Sequence, residues 1–150
     1  ACGGIIGGIV ADKIGSRLKV IIGGSALLTI SWALFLILPA SKSLLLAVVI
    51  NFLFGLFFIY VIRSQYFAVI DDAGIPVDKT GRVSGIVSAI GYLPDVFMYT
   101  MVGGWFDTHP GKAGFDMMFI YAIIMGLMCI VFSLLLAFVI RRKKITNLEK

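Results

Sequence analysis

Apolar segments alternate with short polar joints along the whole chain. The four long segments are about 20–38, 44–70, 83–106 and 115–140. Each has the length of about 20 mainly apolar residues that a helix needs to cross the hydrocarbon core of a membrane, whereas the segment at about 1–10 is too short to span. The pattern predicts an all-α, polytopic transmembrane helix bundle with four full spans, one partial span and a tail at 141–150.

Composition agrees with an integral membrane protein. Hydrophobic residues make up 60% of the chain, charged residues 14%, and the mean hydropathy is +1.05, whereas soluble domains are about half apolar and a quarter charged. The chain begins at Ala1, without a methionine, and with half of an apolar segment. We therefore expect the C-terminal piece of a longer protein, whose missing N-terminal half is a partner.

The lysines and arginines are distributed unevenly between the two ends of the predicted spans. The positions on one side are Lys13, Arg17, Lys19, Lys79, Arg82, Arg141, Arg142, Lys143, Lys144 and Lys150. Only Lys42 and Lys112 are on the other side, and Arg63 is within a span. Basic loops stay in the cytoplasm, so the C-terminus is expected there, in a bacterial inner membrane. This asymmetry and the basic tail account for the net charge of +5 without a nucleic-acid partner. The tail is expected to contact anionic lipid headgroups.

Asp95 is the single charge in the run 83–106. At 100° per residue, Ser88, Tyr92 and Tyr99 fall on its side of the helix, as does Ser84. A carboxyl group near the membrane centre costs several kcal/mol and is a functional candidate. An acid in such a position is also a candidate proton carrier. The alternative is a packing role, with Asp95 hydrogen-bonded across helices.

Two residues next to Asp95 predict a hinge. Pro94 has no backbone N–H to donate to the carbonyl of Ile90, and Gly91 adds conformational freedom. Discontinuous helices of this kind occur at transporter binding sites, although a proline kink is common in any membrane helix.

Arg63 is a second charge within an apolar run. It is a candidate for binding an anionic solute or a carboxylate, with Gln65 lining the same polar cavity. The alternative is an interfacial anchor or an ion pair with Asp71 or Asp72, because Arg63 is eight residues before Asp71. On the same predicted helix, Asn51 is expected to hydrogen-bond to a neighbouring helix.

Polarity divides the four spans into two pairs. The spans at 20–38 and 115–140 have few polar residues and are expected to face lipid or to support the bundle. The spans at 44–70 and 83–106 are expected to line a path. Two sets of small residues predict close helix packing: Gly3, Gly4, Gly7 and Gly8 form one, and Gly81, Gly85 and Ala89 the other.

The first joint contains the motif "GIVADKIGSR", from Gly8 to Arg17. Glycines permit a tight reversal, while Asp12, Lys13 and Arg17 are able to form ion pairs or contact a helix end. On spacing alone, a basic cytoplasmic turn explains the motif equally well.

This motif resembles the signature cytoplasmic loop of the major facilitator superfamily. Gly8, Asp12, Lys13, Gly15 and Arg17 match that pattern, and Ser16 stands where a second base is usual. The resemblance implies helices eight to twelve of a twelve-helix transporter fold, with the loop acid latching one conformation against the opposite half. The stretches 63–76 and 81–97 are similar to members that transport small organic anions or sugar-like metabolites.

The residues and the resemblance together predict a secondary active transporter of a small polar or anionic solute. It would work by alternating access, as a symporter if Asp95 moves protons. A non-transporting receptor or assembly subunit is the alternative. A single histidine, predicted outside the membrane, and the lack of metal-ligand spacing argue against an enzyme, and no cofactor or metal is expected.

Overall fold

The computed structural model describes residues 2–38, 42–66 and 68–148. The elements in these ranges are α1 (Cys2–Ile14), α2 (Arg17–Ile37), a 3-10 helix (Lys42–Leu44), α3 (Leu45–Gln65), α4 (Ala68–Asp72), α5 (Val77–Thr108) and α6 (Lys112–Leu148). All are helical, and α2, α3, α5 and α6 are each long and apolar enough to cross a membrane. The predictions of an all-α fold and of four spans are confirmed. Most of the joint 39–43 lies outside the described residues.

Several helices extend beyond the predicted spans because backbone hydrogen bonds continue through polar residues at the membrane surface. α5 begins six residues before the predicted 83, and α6 continues through the predicted tail to Leu148. The segment 44–70 differs the other way. Its helix α3 ends at Gln65, and the short α4 follows.

The helix α2 lies at the centre of the bundle. Phe35 of α2 stacks on Phe119 of α6 with ring centroids 4.8 Å apart, and Gly24 of α2 faces Ile62 of α3. The expectation that the span 20–38 faces lipid is therefore wrong for most of its surface, while a supporting role fits. We call the end where α2 begins and α6 leaves the membrane the basic end.

Polar side chains join α2 to α3 inside the bundle. Ser31 is fully buried, and its hydroxyl donates to the Asn51 side-chain oxygen at 2.9 Å. The Asn51 amide donates in turn to the Ser31 carbonyl at 2.9 Å. The expectation that Asn51 bonds to a neighbouring helix is confirmed, and these bonds set the register of α2 against α3.

Close packing joins α1 to α3 through two of the four glycines at the start of the chain. A Cβ atom on Gly3 would lie 2.9 Å from the Phe57 carbonyl oxygen, and one on Gly7 would lie 2.9 Å from the Ser64 hydroxyl and 3.2 Å from Val61 Cα. Gly8 has open space in that direction, as do Gly81 and Gly85 of α5. The packing prediction is therefore confirmed for the first set at Gly3 and Gly7 only.

Replacing Gly7 tests this contact. Gly7→Ala is expected to destabilise the full-length protein by about 1–3 kcal/mol, because the added methyl group overpacks the α1–α3 interface. Gly8→Ala, one residue along the same helix, is expected to be neutral or slightly stabilising. Thermal unfolding of both purified variants in one detergent measures the difference. Equal melting temperatures would contradict this packing.

Candidate functional site

The helix α5 contacts the rest of the described chain near its two ends. Close to the end opposite the basic end, Trp105 lies edge-on to Tyr121 of α6, and Phe106 packs on Phe115 with ring centroids 4.8 Å apart. Towards the basic end, the Tyr66 hydroxyl donates to the Val87 carbonyl at 2.7 Å. Between these contacts every residue from 89 to 97 is exposed, and none of the residues of α5 is buried.

Asp95 lies in this uncovered middle of α5. It follows Gly91, which contacts Tyr66, by one turn, so the two residues are about 40° apart around the helix. Asp95 therefore lies near the side of α5 that faces the bundle at the Tyr66 contact. It is exposed there, so a gap separates this part of α5 from the other described helices.

The predicted companions of Asp95 are distributed along the same region. Ser88 is half-buried near the Tyr66 contact, while Tyr92 and Tyr99 are exposed, Tyr99 to 84%. Within the described residues, these hydroxyl groups and one carboxyl group share the uncovered part of α5 with exposed apolar side chains, Ile90, Leu93, Val96 and Phe97. The polar groups suit contact with water or a polar solute, and the apolar side chains suit contact with other helices or acyl chains.

The predicted hinge pair lies inside one continuous helix. Pro94 is within α5 and is not able to donate to the Ile90 carbonyl. Gly91 has a further role that its conformational freedom does not reveal. A Cβ atom on Gly91 would overlap the Tyr66 hydroxyl, so only glycine permits this contact.

Tyr66 is the site residue that the sequence did not single out as a contact between helices. It lies directly after α3 and contacts α5 at a glycine. The sequence indicates this contact only weakly. A tyrosine at one helix end and a glycine in another helix meet only if the two segments align in space, and the sequence does not show that alignment.

Arg63 lies in the last turn of α3 and is exposed. It precedes Tyr66 by three residues, about 4.5 Å along the axis, and Asp95 follows Gly91 by four, about 6 Å. Because α3 and α5 run in opposite directions, both displacements lead away from the basic end. Neither charge bonds to a side chain that the structure describes, and the alternative pairing of Arg63 with Asp71 or Asp72 lies outside the described side chains.

Gln65 lies elsewhere. It is 2% exposed, donates to the Ser64 hydroxyl at 2.9 Å, and follows the buried Val61 by one turn. Val61 packs with Ala11 and Val20, so Gln65 is on the side of α3 that faces α1 and α2. The expectation that Gln65 lines a cavity with Arg63 is not met, because neighbouring helix residues point about 100° apart.

The loop motif forms a two-residue turn. Gly15 has a φ of +65°, which ends α1, and α2 begins at Arg17. Arg17 donates to the Ala68 carbonyl of α4 at 3.1 Å, and this bond fastens the turn to the segment that follows Tyr66. Asp12 and Lys13 are exposed, and Gly8 is half-buried.

Four apolar spanning helices around buried hydrogen bonds define this chain as an integral α-helical membrane protein. It is similar to the inner membrane protein YihN of Escherichia coli (strain K12), with 32% identity over 151 residues, 99% of this chain and 34% of the relative. It is also similar to the inner membrane protein YqcE of the same organism, with 34% identity over 137 residues, 89% of this chain and 32% of the relative. The protein is thus an integral inner-membrane protein, and the chain spans about a third of the length of these relatives.

The comparisons overturn the identification with the major facilitator superfamily. No family model and no solved structure matches the chain. The two relatives are named as inner membrane proteins, and neither name refers to that superfamily. The numbering of the segments as helices eight to twelve of a twelve-helix fold falls with this identification. So does the latch role that the resemblance implied for Asp12. The match rested on about ten residues of a tight basic turn, and the geometry of the turn accounts for Gly15 and Arg17 without the family.

Proposed function

We propose that the protein is a secondary active transporter of a small polar or anionic solute, working by alternating access. The observation that supports this best is the pair Arg63 and Asp95. Both charges are exposed and lie within apolar sequence. Along the helix axes, both are displaced from the contact between Tyr66 and Gly91 in the same direction, away from the basic end. Unpaired charges at this depth are costly unless water or a bound solute contacts them.

The two charges have complementary roles in the proposal. The Arg63 guanidinium would bind an anionic group of the solute through paired N–H donors. Asp95 would bind and release a proton as the site changes exposure, and Tyr92, Tyr99 and Ser88 would contact the solute through their hydroxyl groups. The wall opposite Asp95 would come from helices of a longer protein.

The conformational change would take place within α5. Its outer part is held against α6 by two aromatic contacts, whereas towards the basic end its bond to Tyr66 is a single hydrogen bond beside a glycine. Pro94 lies between these attachments, so bending there would change access to Asp95 while the aromatic contacts remain. The basic end would face the cytoplasm, since the bases of the turn and of α6 are at that end.

A receptor or an assembly subunit is the alternative function. Transport assays of the full-length protein in proteoliposomes separate the two, using labelled monocarboxylates, dicarboxylates and sugar acids as probes. We expect uptake of at least one probe that rises with an inward proton gradient and saturates with concentration. Uptake equal to that of protein-free liposomes for every probe would count against transport.

A further inference from the structure

The polar and apolar residues in the uncovered part of α5 lie on different sides of the helix. Directions are measured here round the helix from Gly91, which contacts Tyr66. The polar residues lie within about 100° of Gly91, all in the sense in which the chain advances. They are Ser84, Ser88, Tyr92, Asp95 and Tyr99. The exposed apolar residues lie about 100° to 160° from Gly91, all but Val96 in the opposite sense. They are Ile90, Leu93, Val96 and Phe97.

Arg63 points to the side of α3 that neither α1 nor α2 covers. Its neighbour Ile62 faces Gly24 of α2, and its other neighbour Ser64 contacts Gly7 of α1. Consecutive residues of a helix point about 100° apart, so Arg63 points about 100° away from each of these contacts. The exposure of Arg63 agrees with this direction.

Arg63 and the polar side of α5 lie on the same side of the contact between Tyr66 and Gly91. Arg63 is turned about 60° from Tyr66, and Asp95 is turned about 40° from Gly91, each in the sense in which its own chain advances. The two helices run in opposite directions, so these turns have opposite senses when both are seen from one end of the bundle. Turns of opposite sense from two facing positions lead to the same side. We call the space that they border the α3–α5 cleft.

The α3 wall of this cleft is apolar beyond Arg63. Ile59, Leu56 and Phe52 point within about 40° of Arg63 and extend about 16 Å from it, away from the basic end. Ile59 and Phe52 are exposed, and Leu56 is half-buried. The cleft thus has a cation towards the basic end, an apolar wall on α3, and hydroxyl groups with one carboxyl group on α5.

The described part of the cleft contains one cation. Arg63 is the only charged residue of α3. On α5, Lys79 and Arg82 point about 120° and 180° away from Gly91, outside the cleft. A solute with one anionic group therefore finds its partner at Arg63. A second anionic group would lie against the apolar wall or beside Asp95 without a cation, which is costly.

The spacing along the cleft indicates the size of the solute. Arg63 is about 4.5 Å from Tyr66 along the axis, and Tyr99 is about 12 Å from Gly91, both away from the basic end. The cation and the far hydroxyl group are thus about 8 Å apart in depth, with Asp95 between them. A single six-membered ring with one carboxyl group suits this length.

From these observations, and on the basis of the proposed transport function, we infer that the solute is a hydroxylated monocarboxylate about the size of one sugar ring. Its carboxylate binds Arg63 through paired N–H donors. Its hydroxyl groups bind Asp95, Tyr92 and Tyr99, and its carbon skeleton packs on Ile59.

Four compounds that differ in charge and in hydroxyl groups test this class on the purified full-length protein. Glucuronate has the ring, the hydroxyl groups and one carboxylate. Cyclohexanecarboxylate lacks the hydroxyl groups, glucose lacks the carboxylate, and glucarate has a second carboxylate. The rise in melting temperature with each compound measures binding, and uptake of the labelled compounds into proteoliposomes measures transport. Glucuronate is expected to bind about tenfold more tightly than each of the others, because each change removes a hydrogen bond or leaves a charge without a partner.

Two variants assign parts of the solute to residues of the cleft. Arg63→Gln should weaken glucuronate binding about tenfold to a hundredfold and leave the affinity for glucose within about twofold. Tyr99→Phe should weaken glucuronate binding about threefold to tenfold and leave cyclohexanecarboxylate binding unchanged. The matched control is Arg82→Gln, which removes an exposed cation that points away from the cleft. It should leave every affinity within about twofold.

The outcomes separate the class of solute from transport itself. Binding in the expected order without uptake would support the class and count against transport. Preferred uptake of glucarate or glucose would support transport and overturn the class, and so would uptake of other solutes with no binding of these four. The class also fails if Arg63→Gln weakens glucuronate and glucose equally and lowers the melting temperature without ligand. That result would indicate a structural ion pair of Arg63 with Asp71 or Asp72.

Discussion

Asp95→Asn is expected to abolish proton-driven accumulation of solute by the full-length protein. One proton moving down a gradient of one pH unit releases about 1.4 kcal/mol, which sustains about tenfold accumulation of the solute. An amide is not able to release a proton, so the variant should only equilibrate the solute, to a ratio of about one. Exchange of labelled for unlabelled solute should persist, because the amide that replaces the carboxyl group still hydrogen-bonds and the site keeps Arg63.

The measurement is uptake into proteoliposomes with and without an imposed proton gradient, beside counterflow in the same vesicles. Asp107→Asn is the matched control, since Asp107 is an exposed carboxylate on α5 at the end opposite the basic end. It should accumulate solute like the wild type. Full gradient-driven accumulation by Asp95→Asn would rule out Asp95 as the proton carrier.

Gly91→Ala is expected to damage both stability and transport through a clash that a second substitution relieves. The added methyl group overlaps the Tyr66 hydroxyl, which is the end of a side chain, so we expect the tyrosine to move aside and lose its hydrogen bond to Val87, worth about 0.5–1.5 kcal/mol. Tyr66→Phe removes the same hydrogen bond and the overlapping hydroxyl together. The double variant should therefore be no less stable than Gly91→Ala alone, and the two effects should not add.

Gly85→Ala provides the control on the same helix. A Cβ atom at Gly85 meets open space, so alanine there should be neutral or stabilising by up to about 1 kcal/mol. Thermal unfolding of the two single variants at positions 66 and 91, of the double variant and of the wild type completes a double-mutant cycle. Additive effects of Gly91→Ala and Tyr66→Phe would contradict a direct contact between these residues.

Part of the site was predictable from single positions. A lone carboxyl group in an apolar run identifies itself, because the cost of burying a charge in hydrocarbon is large and local. Asp95 and Arg63 were selected in this way, and their roles stay predictions. Gln65 was not predicted correctly, because its polarity does not show which neighbour it faces, and the structure puts it between α1, α2 and α3.

The central position of α2 was not predictable from its polarity. The span 20–38 has few polar residues, yet its small polar residues Ser25, Thr29 and Ser31 are all buried against α3 or α6. Conversely, the more polar α5 has no buried residue. Lipid chains are as apolar as leucine, so hydrophobicity does not distinguish a helix face that contacts protein from one that contacts lipid.

The amino-acid order by itself determined the helical class, the four spans and the unequal distribution of bases, since each depends on local transfer energies summed over about 20 residues. The tertiary structure decided that α2 is central and that Tyr66 contacts α5 at Gly91. These relationships depend on register and on close approach at small side chains. They arise between segments up to 104 residues apart, where no local pattern records which surfaces meet.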